Sequence, residues 1–132
     1  MNRVVFACVH NAGRSQMAAA WFNRIADPVK AHAISAGTQP AGHVHPVVIE
    51  AMKEKGVDLS KAEPQKLTIE LARGAAFLVT MGCGENCPYV PGVPVLDWPL
   101  PDPKGQGIES VRVIRDEVEV LVRDFVRQNA WG

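Results

Sequence analysis

The chain has 132 residues, 47% apolar and 21% charged, a length and balance suited to one globular domain over residues 1–132 with a sizeable core. Fourteen basic and fourteen acidic residues cancel, which argues against nucleic acid or an anionic membrane recognised through bulk charge. No stretch approaches the ~20 uninterrupted apolar residues of a membrane span, and the start lacks the apolar segment and cleavage site of a secretory leader, so a cytoplasmic location is expected.

Arg3 to Cys8 is a short apolar, β-branched run that reads as a buried strand. Loop residues follow, and Ser15 to Ile25 reads as a helix with Met17, Trp21, Phe22 and Ile25 on one side, broken at Asp27-Pro28. A second strand is expected over Val29 to Ser35, ended by Gly37 and Pro40. Pro46 to Lys55 reads as a helix with proline in its first turn and Gly56 as its stop. A short helix over Thr68 to Arg73 precedes a third strand, Ala75 to Met81, and a weaker fourth, Val93 to Trp98, interrupted by Pro94. Val111, Ile114, Val118, Leu121 and Phe125 recur at helical spacing and define a long helix over Ile108 to Arg127. Strands alternating with helices imply an α/β fold, a parallel sheet covered on both faces, which binds ligands beyond the C-terminal ends of its strands. Cys8 lies at such an end.

The segment Cys8-Val9-His10-Asn11-Ala12-Gly13-Arg14-Ser15 joins the first strand to the first helix. A loop wrapping into a helix N-terminus aims several backbone N–H groups at one point, a geometry suited to a phosphate-like anion. Ala12 and Gly13 are small enough to let the backbone close, and Asn11 tolerates a left-handed conformation. Arg14 offers a planar fork of donors for two oxygens of a tetrahedral oxyanion. That positive field favours Cys8 as a thiolate, and Ser15 can donate to its sulfur. Cys8 is thus the candidate nucleophile. His10, inside the loop, either tunes Cys8 or fills a loop position, while His43 and His45 read as surface or capping residues.

Two later loops emerge on the same edge. Leu96-Asp97-Trp98-Pro99-Leu100-Pro101-Asp102-Pro103 carries Asp102, the candidate general acid, against the alternative of a turn or N-cap aspartate. Asp97 is the weaker candidate, read as a strand-end carboxylate. Thr80-Met81-Gly82-Cys83-Gly84-Glu85-Asn86-Cys87-Pro88 carries the other two cysteines of an odd, sparse set that suits a reducing compartment. Cys83 and Cys87 form a redox relay with Cys8, are inert, or bind metal with histidines; two cysteines without a second close pair are a weak zinc signal, so no metal is expected.

These motifs resemble the low-molecular-weight tyrosine phosphatase superfamily. The resemblance rests on the Cys8–Ser15 cradle at the N-terminus, Ile34-Ser35-Ala36-Gly37-Thr38, and the late Asp102-Pro103. Arg14-Ser15-Gln16-Met17-Ala18 and the Thr80–Pro88 segment are similar to its arsenate reductase branch. The resemblance implies a four-stranded parallel sheet flanked by helices, and arsenate, a mimic of phosphate and sulfate, held on Val9 to Ser15. It implies attack by Cys8, protonation of the leaving oxygen by Asp102, and resolution by Cys83 and Cys87 with release of arsenite, a step in arsenic detoxification. No tightly bound cofactor is implied; the electrons come from an external thiol donor, either thioredoxin or mycothiol with mycoredoxin. Two departures stand out. The cysteines lie closer together than in the best-known thioredoxin-coupled enzymes, a spacing similar to the mycothiol-dependent ones. Ala18-Ala19-Ala20 also stands where some members carry an acid that helps bind potassium, so that cation is not expected.

The competing expectation is a phosphotyrosine or phosphomonoester phosphatase working through a Cys8 phosphoenzyme. Against it, Pro103 is followed by Lys104-Gly105-Gln106-Gly107, without the aromatic residues that grip a phenyl ester, and the chain's one tyrosine is Tyr89. A redox-sensing or anion-binding module without turnover is the non-catalytic alternative.

Overall fold

The apolar run near the N-terminus becomes a central strand of a four-stranded parallel sheet. The computed structural model describes every residue except Cys83, Gly84, Glu85, Asn86 and Pro88. In chain order the elements are β1 (Asn2–Cys8), α1 (Arg14–Ile25), β2 (Ala31–Gly37), α2 (Pro46–Lys53), α3 (Ile69–Ala72), β3 (Phe77–Thr80), β4 (Val95–Asp97) and α4 (Ile108–Gln128). The sheet order is β2-β1-β3-β4, all neighbours parallel. β1 is flanked on both sides and covered on both faces, which is why Val4 to Cys8 are all buried and the run shows no polar alternation.

Alternate residues of β1 serve different cores. Val4, Phe6 and Cys8 join the larger one, with Met17, Phe22, Met52, Val118 and Phe125 from α1, α2 and α4. Val5 and Ala7 face a smaller one with Leu67, Ala72, Leu78 and Val90. Aromatic rings bind the larger core edge to face. Phe125 lies 5.2 Å from Phe77, 5.6 Å from Trp98 and 5.6 Å from Trp131, and Phe22 lies 5.9 Å from Trp131. Trp131 is fastened further through its carbonyl, which accepts from the Asp27 N–H at 2.7 Å.

Three strands are shorter or later than the sequence pattern suggests. β2 begins at Ala31 because Asp27 folds residues 27–30 into a turn, its Oδ1 accepting from the Val29 N–H at 3.0 Å and its carbonyl from the Lys30 N–H at 2.9 Å. β3 begins at Phe77 because Ala75 is still tied to the end of α3, its N–H donating to the Ala72 carbonyl at 3.1 Å. β4 begins after Pro94, whose carbonyl accepts from Leu78 at 2.9 Å but whose ring nitrogen has nothing to donate, a residue tolerated at the start of an edge strand. Among the described residues no helix is long and apolar enough to cross a membrane.

A polar clamp joins α2 to α4. The Glu54 carboxylate accepts from Arg112 Nη2 at 2.6 Å and from Arg115 Nη1 at 2.8 Å, and buried Arg115 also donates to the Ala51 carbonyl at 2.9 Å. Those two guanidinium groups hold the Glu54 carboxyl well below its usual range, down to about 2 from an ordinary 4.5. A carboxyl depressed in the folded state adds stability above its unfolded value and loses it as the pH falls toward the folded one. The urea midpoint of the native chain should therefore drop between about pH 4.5 and pH 2 more steeply than that of Glu54→Gln. Parallel acid profiles for the two proteins would mean that the clamp contributes nothing to stability.

Candidate active site

The loop after β1 turns its carbonyls outward. Cys8, Val9, His10 and Ala12 accept through their main-chain oxygens from the N–H groups of Thr38, Gln39, Ala41 and His45, at 3.2, 2.8, 2.9 and 3.0 Å. With the oxygens so engaged, the N–H groups of His10 to Gly13 find no acceptor among the described residues. They run into the N-terminus of α1, which has neither a side-chain cap nor an acidic residue in its first turn. Unpaired amides at a helix N-terminus, with no competing carboxylate, are the donor set of an anion site. Asn11 makes the sharp bend at a φ of 51° and is fully buried.

At the floor lies Cys8, a buried free thiol whose sulfur is 2.8 Å from Ser15 Oγ. Asn11 Nδ2 donates to the same Ser15 oxygen at 2.7 Å. Arg14 opens α1 and is 6% exposed; Nη1 donates to the Leu100 carbonyl at 3.0 Å and Nη2 lies 3.7 Å from Asp102 Oδ2. Among the described residues Arg14 Nε is buried without a partner, a donor left over for a ligand. Space for the guanidinium depends on Gly82, at a φ of +98°: a Cβ there would fall 2.2 Å from Arg14 Nη1.

The loop carrying Asp102 closes over this floor. Trp98 anchors its start, 5.7 Å from Phe6 and 5.6 Å from Phe125. Pro103 rests against Gly13, where a Cβ would come within 2.5 Å of the proline ring. Asp102 is partly exposed and caps its own turn by accepting from the Lys104 N–H at 2.9 Å. Asp97, by contrast, accepts from Thr80 Oγ1 at 2.8 Å at the ends of β3 and β4. His45 stands at the N-cap of α2 without capping it through its side chain. Partial burial pushes the His45 imidazole below its usual range, against the opposing pull of the Asp102 carboxylate. His10 is half-buried in the loop and His43 exposed.

The structure thus brings together Cys8, Asn11, Arg14, Ser15 and Asp102. Cys83 lies outside the described residues; Cys87 is half-buried against the smaller core. Among the described residues no three His, Cys, Asp or Glu side chains could hold a metal ion. Sequence reasoning passed over Gln16, Gln65 and the Leu100 carbonyl. Gln16 donates through Nε2 to Asn11 Oδ1 at 3.2 Å and Gln65 through its N–H at 3.0 Å. A glutamine in a helix's first turn is an ordinary helix former, and a main-chain carbonyl carries no side-chain signal at all.

The family model of the low molecular weight phosphotyrosine protein phosphatases matches residues 3–130. The chain belongs to that family. Within it, a putative arsenate reductase of Halobacterium salinarum is 42% identical over 126 residues, 91% of this chain and 87% of that protein. A solved thioredoxin-dependent arsenate reductase of Corynebacterium glutamicum superposes with a TM-score of 0.83 at 38% identity, over 97% of this chain but 61% of that longer one. An arginine phosphatase of Geobacillus stearothermophilus superposes with a TM-score of 0.82 at 25% identity, over 98% of this chain and 94% of that one. This phosphatase-family cradle and the Gly82 turn are fitted to each other, so Gly82→Ala should disturb the site first. Strain of about 1–3 kcal/mol at a positive φ leaves a folded protein by circular dichroism. Displacement of Arg14 should weaken inorganic phosphate binding at least about tenfold by calorimetry. Undiminished phosphate binding would remove Arg14 from the anion site.

Proposed function

We propose that this chain is an arsenate reductase that attacks arsenate with Cys8. The observation that carries the chemistry is the buried Cys8 thiol beneath the open N–H groups of the loop and the Arg14 guanidinium. The choice of arsenate follows from the arsenate reductases among its relatives. Arsenate displaces no acceptor as it settles on these amides, and it takes Arg14 donors that otherwise face Leu100 and Asp102. The Cys8 thiolate forms a sulfur–arsenic bond while an arsenic–oxygen bond breaks and the oxygen leaves as water, protonated by Asp102.

A second thiol then attacks the Cys8 sulfur. A sulfur–sulfur bond forms, the sulfur–arsenic pair stays with arsenic, and arsenic(V) leaves as arsenite: two electrons gained by arsenic, two thiols oxidised to one disulfide. In this proposal Cys83 is the second thiol and Cys87 resolves it, with a dithiol protein of the thioredoxin kind restoring the reduced chain in the cytoplasm. The name of the Corynebacterium relative supports that donor over mycothiol. The second reading is a phosphatase, favoured by the arginine phosphatase on the same fold.

A single turnover without external thiol separates these readings. Reduced protein mixed with one equivalent of arsenate should release arsenite and lose two thiols, and Cys8→Ser should abolish both. Cys83→Ser and Cys87→Ser identify the resolving thiols. Arsenite formed only after a small thiol is added would sink the internal relay; ester cleavage with no arsenite under any donor would establish the phosphatase. In steady state Asp102→Asn should lower kcat by about 10²–10⁴. An unchanged kcat would remove Asp102 as the acid.

A further inference from the structure

In the segment from Cys8 to Ala12, four of the five main-chain carbonyls are taken by main-chain N–H groups of residues 38–45. The exception is Asn11, at the left-handed bend, whose carbonyl accepts from a side chain, Gln16 Nε2 at 3.1 Å. The same nitrogen donates to Asn11 Oδ1 at 3.2 Å and reaches the Glu63 carbonyl at 3.5 Å. Gln16 is 6% exposed and Asn11 and Ser15 are fully buried, so water does not compete for these bonds.

Bond direction along this chain of groups decides what Cys8 receives. The Gln65 N–H can only donate, and it donates to Asn11 Oδ1 at 3.0 Å. The Asn11 carbonyl oxygen therefore faces Gln65 and Gln16, and its NH₂ faces Ser15. Ser15 Oγ accepts that bond at 2.7 Å, which leaves its own hydrogen for the Cys8 sulfur at 2.8 Å. With the amide reversed, the oxygen would face Ser15 and draw the hydroxyl hydrogen away from the sulfur.

We infer that Gln16 is a positioning residue for the nucleophile: by donating to both carbonyl oxygens of Asn11 it holds the bend and, together with the Gln65 N–H, the direction of the Asn11–Ser15–Cys8 hydrogen bonds. The inference rests on the reading of Cys8 as nucleophile and names a residue that never touches the substrate. Its sign is specific. A donated hydrogen bond stabilises a thiolate more than a thiol, so losing it makes Cys8 less reactive at low pH.

The test uses the full reduced chain. Peptide-resolved alkylation of Cys8 by iodoacetamide is followed against pH for the native protein, Gln16→Met, Gln16→Glu and Ser15→Ala. Gln16→Met keeps the volume without the donor; Gln16→Glu keeps the shape but sets a carboxylate against two carbonyls. Each Gln16 variant should move the alkylation profile about one unit to higher pH, a fall of about tenfold in rate at low pH. In turnover, kcat should fall about tenfold with KM for arsenate changed less than about threefold. Combining Gln16→Met with Ser15→Ala should cost little beyond Ser15→Ala alone, because both act on one bond. An unmoved alkylation profile in a folded Gln16 variant, or full additivity in the double variant, overturns the inference. Should Gln16→Met fail to fold, Gln16→Glu is read in the same way. The alkylation profile judges Gln16 even if the native chain reduces no arsenate, an outcome that would count against the proposed function alone.

Discussion

The structure depends on a loop that must show its N–H groups to one side and hide its carbonyls on the other. Without partners, buried carbonyl oxygens would be costly and would compete for the same space. The parallel pairing of β1 with β2 solves this, because Cys8 is in register with Gly37 and the chain beyond Gly37 then runs alongside the loop. Gly37 makes the approach possible: a Cβ there would lie 2.6 Å from the Val9 carbonyl and 2.9 Å from the Asn11 nitrogen. Gly37 is itself pinned by residues 65–67, its N–H donating to the Gln65 carbonyl at 2.9 Å and its carbonyl accepting from Leu67 at 2.8 Å. The segment that orients Asn11 is therefore fastened to the strand that shapes the loop.

Local electrostatics replace what bulk charge lacks. The chain carries no net charge, yet the floor of the site gathers a buried guanidinium and a helix N-terminus free of acidic residues. Among the described residues the carboxylate within reach, Asp102, comes from a loop whose prolines and Trp98 anchor limit its freedom. A cation held against a backbone carbonyl and a distant carboxylate is satisfied enough to stay buried, and loosely enough to turn to an anion.

Cys8, Arg14 and Ser15 could be singled out together because strand, turn residues and helix lie within one short sequence window. The periodicity of α1 and α4 was legible for the same reason. The cross-connections were not: Gln65 reaches Asn11, and Leu100 reaches Arg14, across many intervening residues. Strand starts at Ala31 and Phe77 were displaced by turns whose hydrogen bonds no propensity reveals. Asp97 reads from sequence as a strand-end carboxylate, and the pairing of β3 with β4 gives it a threonine hydroxyl, while Asp102 lies beside Arg14. Four strands and a parallel sheet could be read from local patterns, but the strand order, with β1 and β3 central, could not.

Trp131 has a consequence for how such a chain is made. Its ring fills the core between Phe22, Phe77 and Phe125, and its carbonyl holds the turn that leads into β2. Synthesis proceeds from the N-terminus, so the cradle loop emerges well before α4 and this indole, which complete its supports. Until then Cys8 sits on an unfinished scaffold, and the burial that shields its thiol in the folded chain is not yet in place.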